Sequence, residues 1–384
     1  MVSLIKQMNI AIIIRRLNVK GGAQRQALSL ARELKNMGHT VAFYTFFYDK
    51  EKCFSDLLDD MAVFSSNEAD PKKLSRLIDP KTDVLNPHDQ EAYRVAYYFK
   101  KDVKNTPSVW MMNDVPGKNF GFWKESQFNP ELRRSFTKAL YHKLYDWQDR
   151  RFVSAQEKIT VLDNWNKGLV KNYYGKDAVV VRSGLDYSHF EYYKHEPPKH
   201  EIKLLCAGIF FPHRRFEDVI TATSLLKKSD YKASLTIVGD YDNDKNYYAK
   251  LVRWVHSLRL DDKVKFVGKV SDSELKKFYQ THDAFIFGNH LQTWGLAVFE
   301  AMASGIPVIV SRTSGASEVL VDRKNAILVN PKSPEEIKDA VLELISNPDF
   351  YSKISSEGRK FVEENISWKK YAQEMFEVFR SAKL

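Results

Sequence analysis

Cysteine is nearly absent: of 384 residues only Cys53 and Cys206 carry a thiol. That excludes a disulfide framework and any cysteine-based zinc spacing, and it fits a reducing compartment. Long hydrophobic runs are also missing. No stretch approaches eighteen apolar residues, so no membrane-spanning helix is expected. The opening MVSLIKQMNIAIIIRRLNV has an apolar run too short to span a bilayer and lacks a small-residue cleavage site. It reads as a first buried strand rather than a leader. There is no Gly-x-Gly-x-x-Gly dinucleotide fingerprint, no zinc-finger spacing and no aromatic-basic signature of an RNA-binding sheet. Nor is there a basic block: 59 Lys and Arg are scattered among 49 Asp and Glu, for a net charge of +10. Nucleic acid is therefore not expected as a partner.

What is present is an ordinary globular composition, 43% hydrophobic and 28% charged, in a chain long enough for two α/β domains. Its most informative stretch runs from Gly288 to Glu318, GNHLQTWGLAVFEAMASGIPVIVSRTSGASE. Apolar residues at Leu296, Val298, Phe299, Met302 and Ala303 have helical spacing and predict a helix over about Trp294–Ala303. Gly305 and Pro307 end it, and Val308–Ser311 follows as a buried strand. A polar, turn-rich loop leading into a helix presents free backbone amides and a positive dipole end, which suits phosphate.

These motifs resemble the donor-binding segment of retaining glycosyltransferases of family 4, which have the GT-B fold. The matching elements are Trp294-Gly295-Leu296, Glu300-Ala301-Met302, Gly305-Ile306-Pro307-Val308 and Gly315-x-x-Glu318, in order and at matching spacing. One position departs: the first Glu of the family's Glu-x7-Glu pair is Gln292 here. The resemblance implies an α/β chain of two Rossmann-like domains flanking a cleft, with a C-terminal helix crossing back to the first domain. The expected limits are residues 1–190 for the acceptor-side domain, 191–366 for the nucleotide-sugar domain and 367–384 for the terminal helix. The polar EYYKHEPPKHE after Phe190 is the expected linker.

Along the first half, Asn9–Ile14 reads as a strand, Gly21-Gly22 as a loop, and Ala23–Met37 as a helix. The resemblance places Gly21 and Gly22 opposite the donor phosphates. Asp83–Asn86 reads as another strand, which leaves His88 just beyond a carboxyl end, where open parallel sheets bind ligands. The family carries a His there that contacts the donor sugar. Asn113-Asp114-Val115-Pro116 follows the strand Val109–Met112, and its polar residues are further acceptor-side candidates. Between Lys118 and Val153 the chain is rich in aromatic and basic residues, and Phe136, Leu140, Leu144 and Trp147 form one helical stripe. The expectation is a helix packed through that stripe on the sheet; the alternative is a surface that docks on anionic lipid headgroups. Asn-Gly-Val-Asp in the family is Ser183-Gly184-Leu185-Asp186 here.

In the second half, Lys203–Ala207 is a strand followed by Gly208 and, before a helix over about Phe216–Lys227, the pair Arg214-Arg215. An arginine fork at a helix start suits a diphosphate. The family has an Arg soon after the glycine, where Ile209 stands here, and a Lys just before the helix, nearest to Arg214. Either Arg214 or Arg215 supplies the cation. Gly239 follows the next strand and lines the nucleotide pocket in related proteins.

The implied activity is transfer of a sugar from a GDP- or UDP-linked donor to a hydroxyl of a glycan or lipid-linked acceptor, with retention, needing no metal and no cofactor. His88, Gln292, Arg214 and Arg215 are the catalytic candidates. Gly21, Gly22, Gly208, Arg214, Arg215, Gly239, Thr293, Trp294, Gly295, Leu296 and Glu300 are the donor-binding ones, with Glu300 on the ribose. The expected location is cytoplasmic, with peripheral contact at the inner membrane face as a variant. An inactive nucleotide-sugar-binding subunit, suggested by Gln292 and Ile209, and a GT-B epimerase are the alternatives.

Overall fold

A computed structural model of the chain describes residues 7–199, 201–227, 232–291 and 294–383. It divides into two compact units, Met1–Gly184 together with Trp368–Leu384, and Leu185–Ser367. The division falls at Gly184, a few residues before the expected one. The polar stretch after Phe190 packs within the second unit: Tyr193 N–H donates to the Ser304 carbonyl at 3.1 Å.

The first unit is built on seven strands: β1 (Asn9–Leu17), β2 (Thr40–Tyr48), β3 (Ala62–Ser65), β4 (Val84–His88), β5 (Val109–Met111), β6 (Lys158–Val161) and β7 (Val179–Val180). Their order is β3-β2-β1-β4-β5-β6-β7 and every pairing is parallel. Parallel neighbours need crossovers, and helices supply them on both faces. The centre of β1 is accordingly a continuous buried run, Ile10 to Ile14, with no polar alternation. The second unit repeats the plan with β8 (Glu201–Ala207), β9 (Lys232–Val238), β10 (Val264–Gly268), β11 (Ala284–Phe287), β12 (Val308–Ser311) and β13 (Ile327–Val329), in the order β10-β9-β8-β11-β12-β13. In each sheet the chain leaves one central strand to either side, between β1 and β4 and between β8 and β11. That reversal opens a crevice at the strands' carboxyl ends.

The terminal helix Trp368–Ala382 belongs to the first unit. Its buried face carries Tyr371, Ala372, Met375 and Phe379, and the Phe376 ring stacks on His39 at 4.4 Å. Lys383 pairs with Asp83 at 3.1 Å.

Local signals place most elements to within a residue or two. Phe216–Lys227 is helical as expected, and Ser271 and Glu274 form the full capping box of the helix Asp272–Thr281. Ser333 precedes the helix Pro334–Ser346, and its side chain makes no cap bond.

One expectation is reversed. The helix Phe136–Ser154 forms, but the stripe Phe136, Leu140, Leu144 and Trp147 faces outward. Its buried face is instead His142, Asp149, Phe152 and Val153. The reason is Asp149, which accepts from the Tyr93 hydroxyl at 2.7 Å and pairs with Arg94 at 2.6 Å. An uncompensated buried carboxylate is costly, so a satisfied one fixes which face of the helix turns inward.

Candidate functional site

At the second unit's crevice three strands end in glycine-bearing loops. Gly208 N–H donates to the Val238 carbonyl and Gly239 N–H to the Gly268 carbonyl, each at 2.9 Å. A Cβ on Gly239 would lie 1.9 Å from the Gly208 carbonyl oxygen, and one on Gly208 would meet the Arg214 guanidinium at 3.3 Å. The loop backbones are therefore nested with no room for side chains. After β8 the chain makes a short 3-10 turn, Pro212–Arg214, and Arg215 (φ +55°) then admits the helix Phe216–Lys227.

The two arginines have different partners. Arg215 is committed to its own helix, with Glu217 at 2.8 Å and both oxygens of Asp218 at 2.5 and 2.9 Å. Among the described residues no carboxylate pairs with Arg214. Its Nε is buried without a partner, and Nη1 lies 2.6 Å from the carboxamide oxygen of buried Asn289, whose amide in turn donates to the Arg214 carbonyl. Burial lowers the Arg214 pKa to about 10. His290 N–H donates to the His213 carbonyl at 2.8 Å, which ties the loop after β11 to the arginine turn.

The helix expected from Trp294 begins at Leu296, because Gly295 adopts a left-handed conformation (φ +80°). A Cβ there would strike the Phe287 ring at 2.7 Å. The Trp294 ring is buried against Phe299, so it offers a ligand its backbone rather than its indole. The first amides of Leu296–Ser304 remain outside the helical ladder, as at any helix start. Glu300 is half-buried one turn on and accepts from the Tyr279 hydroxyl at 3.2 Å. Gln292 and Thr293 lie outside the described residues.

At the first unit's crevice, Gly21 is the N-cap of the helix Gly22–Asn36, and a Cβ on Gly22 would meet nothing within 4 Å. His88 is the last residue of β4 rather than a loop residue, and it is buried. Its Nε2 lies 2.7 Å from Asn86 Oδ1, while Asn86 Nδ2 donates to the Val109 carbonyl. That pairing fixes the tautomer: Nε2–H donates and Nδ1 keeps a lone pair, buried without a partner. Burial lowers the His88 pKa to about 3, so the ring stays neutral from pH 5 upward. A nitrogen-15 NMR titration from pH 5 to 9 should show no movement of the His88 resonances.

Beyond His88 the backbone is strained: Asp89 (φ +66°) and Glu91 (φ +69°) are both left-handed. Arg15 pairs with Glu91 at 3.3 Å and Lys124 with Asp114 at 2.7 Å. Burial and then the neighbouring Asp114 raise the Asp89 carboxyl from 3.8 to about 6. The folded state thus holds this proton more tightly than the unfolded chain. Its contribution to stability is full below about pH 3.8 and is lost as pH rises to about 6. Asn tolerates the left-handed region at least as well. Asp89→Asn should raise the melting temperature at pH 8, by about 2 kcal/mol in stability, and leave it unchanged at pH 4.

Sequence reasoning missed Asn289 and Asn86, which orient Arg214 and His88. Both sit beside singled-out residues, but an Asn before a loop carries no signal of its own until the fold supplies its neighbour.

Residues 190–361 match the family model described as Glycosyl transferases group 1. The chain is 26% identical over 263 residues to an uncharacterized glycosyltransferase of Methanocaldococcus jannaschii, covering 66% of this chain and 64% of that protein. It is 22% identical over 402 residues to the mannosylfructose-phosphate synthase of Agrobacterium fabrum, covering 92% and 85%. The matched stretch therefore spans less than two thirds of the first of these relatives. Among solved structures, Anabaena HepE in complex with UDP-glucose is similar over 98% of this chain and 100% of its own, with a TM-score of 0.76 and 16% identity. The chain has the GT-B fold, and its likenesses support a glycosyltransferase, with the Glycosyl transferases group 1 match lying in its second unit.

Proposed function

We propose that the protein is a retaining hexosyltransferase of family 4, moving a sugar from a GDP- or UDP-linked donor to a hydroxyl of a glycan or lipid-linked saccharide without a metal. The observation that carries this is Arg214, a part-buried guanidinium beside the Gly208 loop with no carboxylate partner among the described residues. A desolvated cation without a counter-charge is expensive, and a ligand that brings a diphosphate relieves it. The free amides at Leu296 and the next residue provide a second anion-favouring element. Glu300 is the proposed acceptor for ribose hydroxyls, and Gln292 the proposed contact to sugar hydroxyls. His88 is the first unit's candidate, acting as a neutral hydrogen-bond acceptor rather than as an acid or base. Departure of the diphosphate leaves an oxocarbenium-like centre, which Gln292 cannot stabilise by charge as a Glu would.

HepE was solved with UDP-glucose, which motivates a sugar-nucleotide panel. Release of nucleotide is measured across GDP- and UDP-sugars with EDTA present. The expected result is slow hydrolysis of one donor. Glu300→Ala should raise KM for that donor about tenfold to a hundredfold, since it removes one or two hydrogen bonds to a charged acceptor. Calorimetric binding without turnover would instead favour the inactive subunit that Gln292 suggests, and no binding of any sugar nucleotide would overturn both.

A further inference from the structure

Away from its crevice, the first unit holds a recess of about 230 Å³ between three helices. The helix Phe136–Ser154 supplies Lys143, Asp146, Trp147 and Arg150, which stand at i, i+3, i+4 and i+7 and so share one face. Asn119 comes from the first turn of the helix Lys118–Ser126, and Tyr173 and Tyr174 from the end of the helix Asn164–Tyr174. That last helix leads from the carboxyl end of β6 back toward the amino end of β7. Its two tyrosines therefore sit toward the end of the sheet opposite the crevice.

The walls of the recess are fixed. The Asp146 carboxylate accepts from the Lys118 and Asn119 amides at 2.7 and 3.0 Å and from Asn119 Nδ2 at 2.8 Å. The Tyr173 ring is held edge-on against Phe120, with centroids 5.5 Å apart. Both tyrosines are half-buried, yet among the described residues neither hydroxyl has a protein hydrogen-bond partner. Burial, and then the acids of the neighbouring helix, raise both phenol pKa values. Each hydroxyl thus keeps its proton and can donate as well as accept. On the rim Trp147 is 70% exposed. Lys143 and Arg150 are exposed beside it and form no ion pair among the described residues.

We infer that this recess binds an acidic sugar unit, a pyranose bearing a carboxylate or a phosphate, as a glycan-holding site separate from the crevice. The C–H face of a pyranose is apolar and stacks on the exposed indole, whose ring is a rigid amphipathic surface. The sugar hydroxyls meet the two tyrosine hydroxyls and the lone pair left on Asp146 Oδ1, which replace the water they give up. Lys143 and Arg150 flank Trp147 about one helical turn to either side, where an anionic substituent gains charge-assisted bonds. The volume falls below the about 300–1,000 Å³ of pockets for drug-sized ligands, and suits one ring with its substituent rather than a nucleotide. A second hold on the same glycan raises its effective concentration at the crevice, so a chain carrying acidic units is retained between transfers. Binding at the recess stands on its own lining and does not depend on the transfer reading.

The test is titration of the full chain, with no sugar nucleotide present, by glucuronic acid, glucose 6-phosphate, glucose and inorganic phosphate. The readout is the Trp147 indole N–H resonance, assigned by its loss in Trp147→Phe. At least one acidic sugar should move it with a Kd of about a millimolar, the strength expected of one small ligand on an open site. The tighter of the two separates a carboxylate-bearing glycan from a phosphate-bearing one. Glucose should bind about tenfold more weakly, because it forgoes the charge-assisted bonds, and inorganic phosphate about tenfold more weakly, because it cannot stack. Lys143→Gln with Arg150→Gln should bring the acidic sugars down to the level of glucose. Tyr173→Phe with Tyr174→Phe should weaken all three sugars about tenfold. The cations are exposed and the phenyl rings are kept, so melting temperatures should hold. No movement of the Trp147 resonance with either acidic sugar, equal affinity for glucose and the acids, or inorganic phosphate binding as tightly as glucose 6-phosphate would each overturn the assignment. So would a nucleoside monophosphate that moves this resonance at lower concentration than any sugar. With no donor present, failure here leaves the transfer reading standing, and failure of nucleotide release leaves the recess standing.

Discussion

Arg214→Ala should lower nucleotide release from the preferred donor by about a hundredfold to a thousandfold, the scale of losing one pre-oriented group that stabilises developing charge. The fall should appear in kcat more than in KM if the guanidinium acts mainly on the departing diphosphate. Stability should move the other way or not at all. Arg214 is a part-buried cation with a buried, unpartnered Nε, so its removal relieves a desolvation cost. Arg215→Ala should give the opposite pattern. It strands Glu217 and buried Asp218, and breaking one partner of such an ion pair costs about 3 kcal/mol or more. Its effect on turnover at a temperature where the variant is folded should be smaller than that of Arg214→Ala. Thermal unfolding and steady-state kinetics on the two variants decide the matter. If both lose stability and only Arg215→Ala loses activity, the diphosphate role of Arg214 is wrong.

Gly239→Ala should be the most damaging methyl addition in the second unit. The new Cβ would sit 1.9 Å from the Gly208 carbonyl oxygen, and both partners are backbone, so no rotamer change relieves the overlap. The Gly239 N–H bond to Gly268 and the Gly208 N–H bond to Val238 hold the two loops in place. Either they break or the strand ends part, and the expected loss is about 4 kcal/mol or failure to accumulate folded protein. Gly22→Ala is the control, because a Cβ there meets open space at the first residue of a helix. It should leave the urea midpoint unchanged or slightly higher. If Gly22→Ala nevertheless weakens donor binding, the methyl is obstructing a ligand rather than the protein. Equal midpoints for Gly239→Ala and the parent would show that the loops separate without cost.

Much of the molecule is legible in the sequence. The strand signals at Asn9–Ile14 and Val308–Ser311 and the Gly305–Pro307 stop are local, and local backbone physics honoured them. The family resemblance around Gly288–Glu318 likewise rests on short-range spacing. The helix start near Gly295 slipped by two residues because a left-handed glycine against Phe287 is a packing fact, invisible to periodicity.

Tertiary structure decided the rest. Sequence left Arg214 and Arg215 equivalent; their neighbours Asn289 and Asp218 distinguish them, through the folding of the loop after β11 onto the turn after β8. Sequence placed His88 beyond a strand end with an open role, and burial beside Asn86 makes it neutral and fixes its tautomer. The stripe from Phe136 to Trp147 has helical period, and period alone shows that a face exists without showing which way it turns. That direction was set by Arg94 and Tyr93, more than fifty residues earlier, whose bonds to Asp149 draw the polar side of the helix inward.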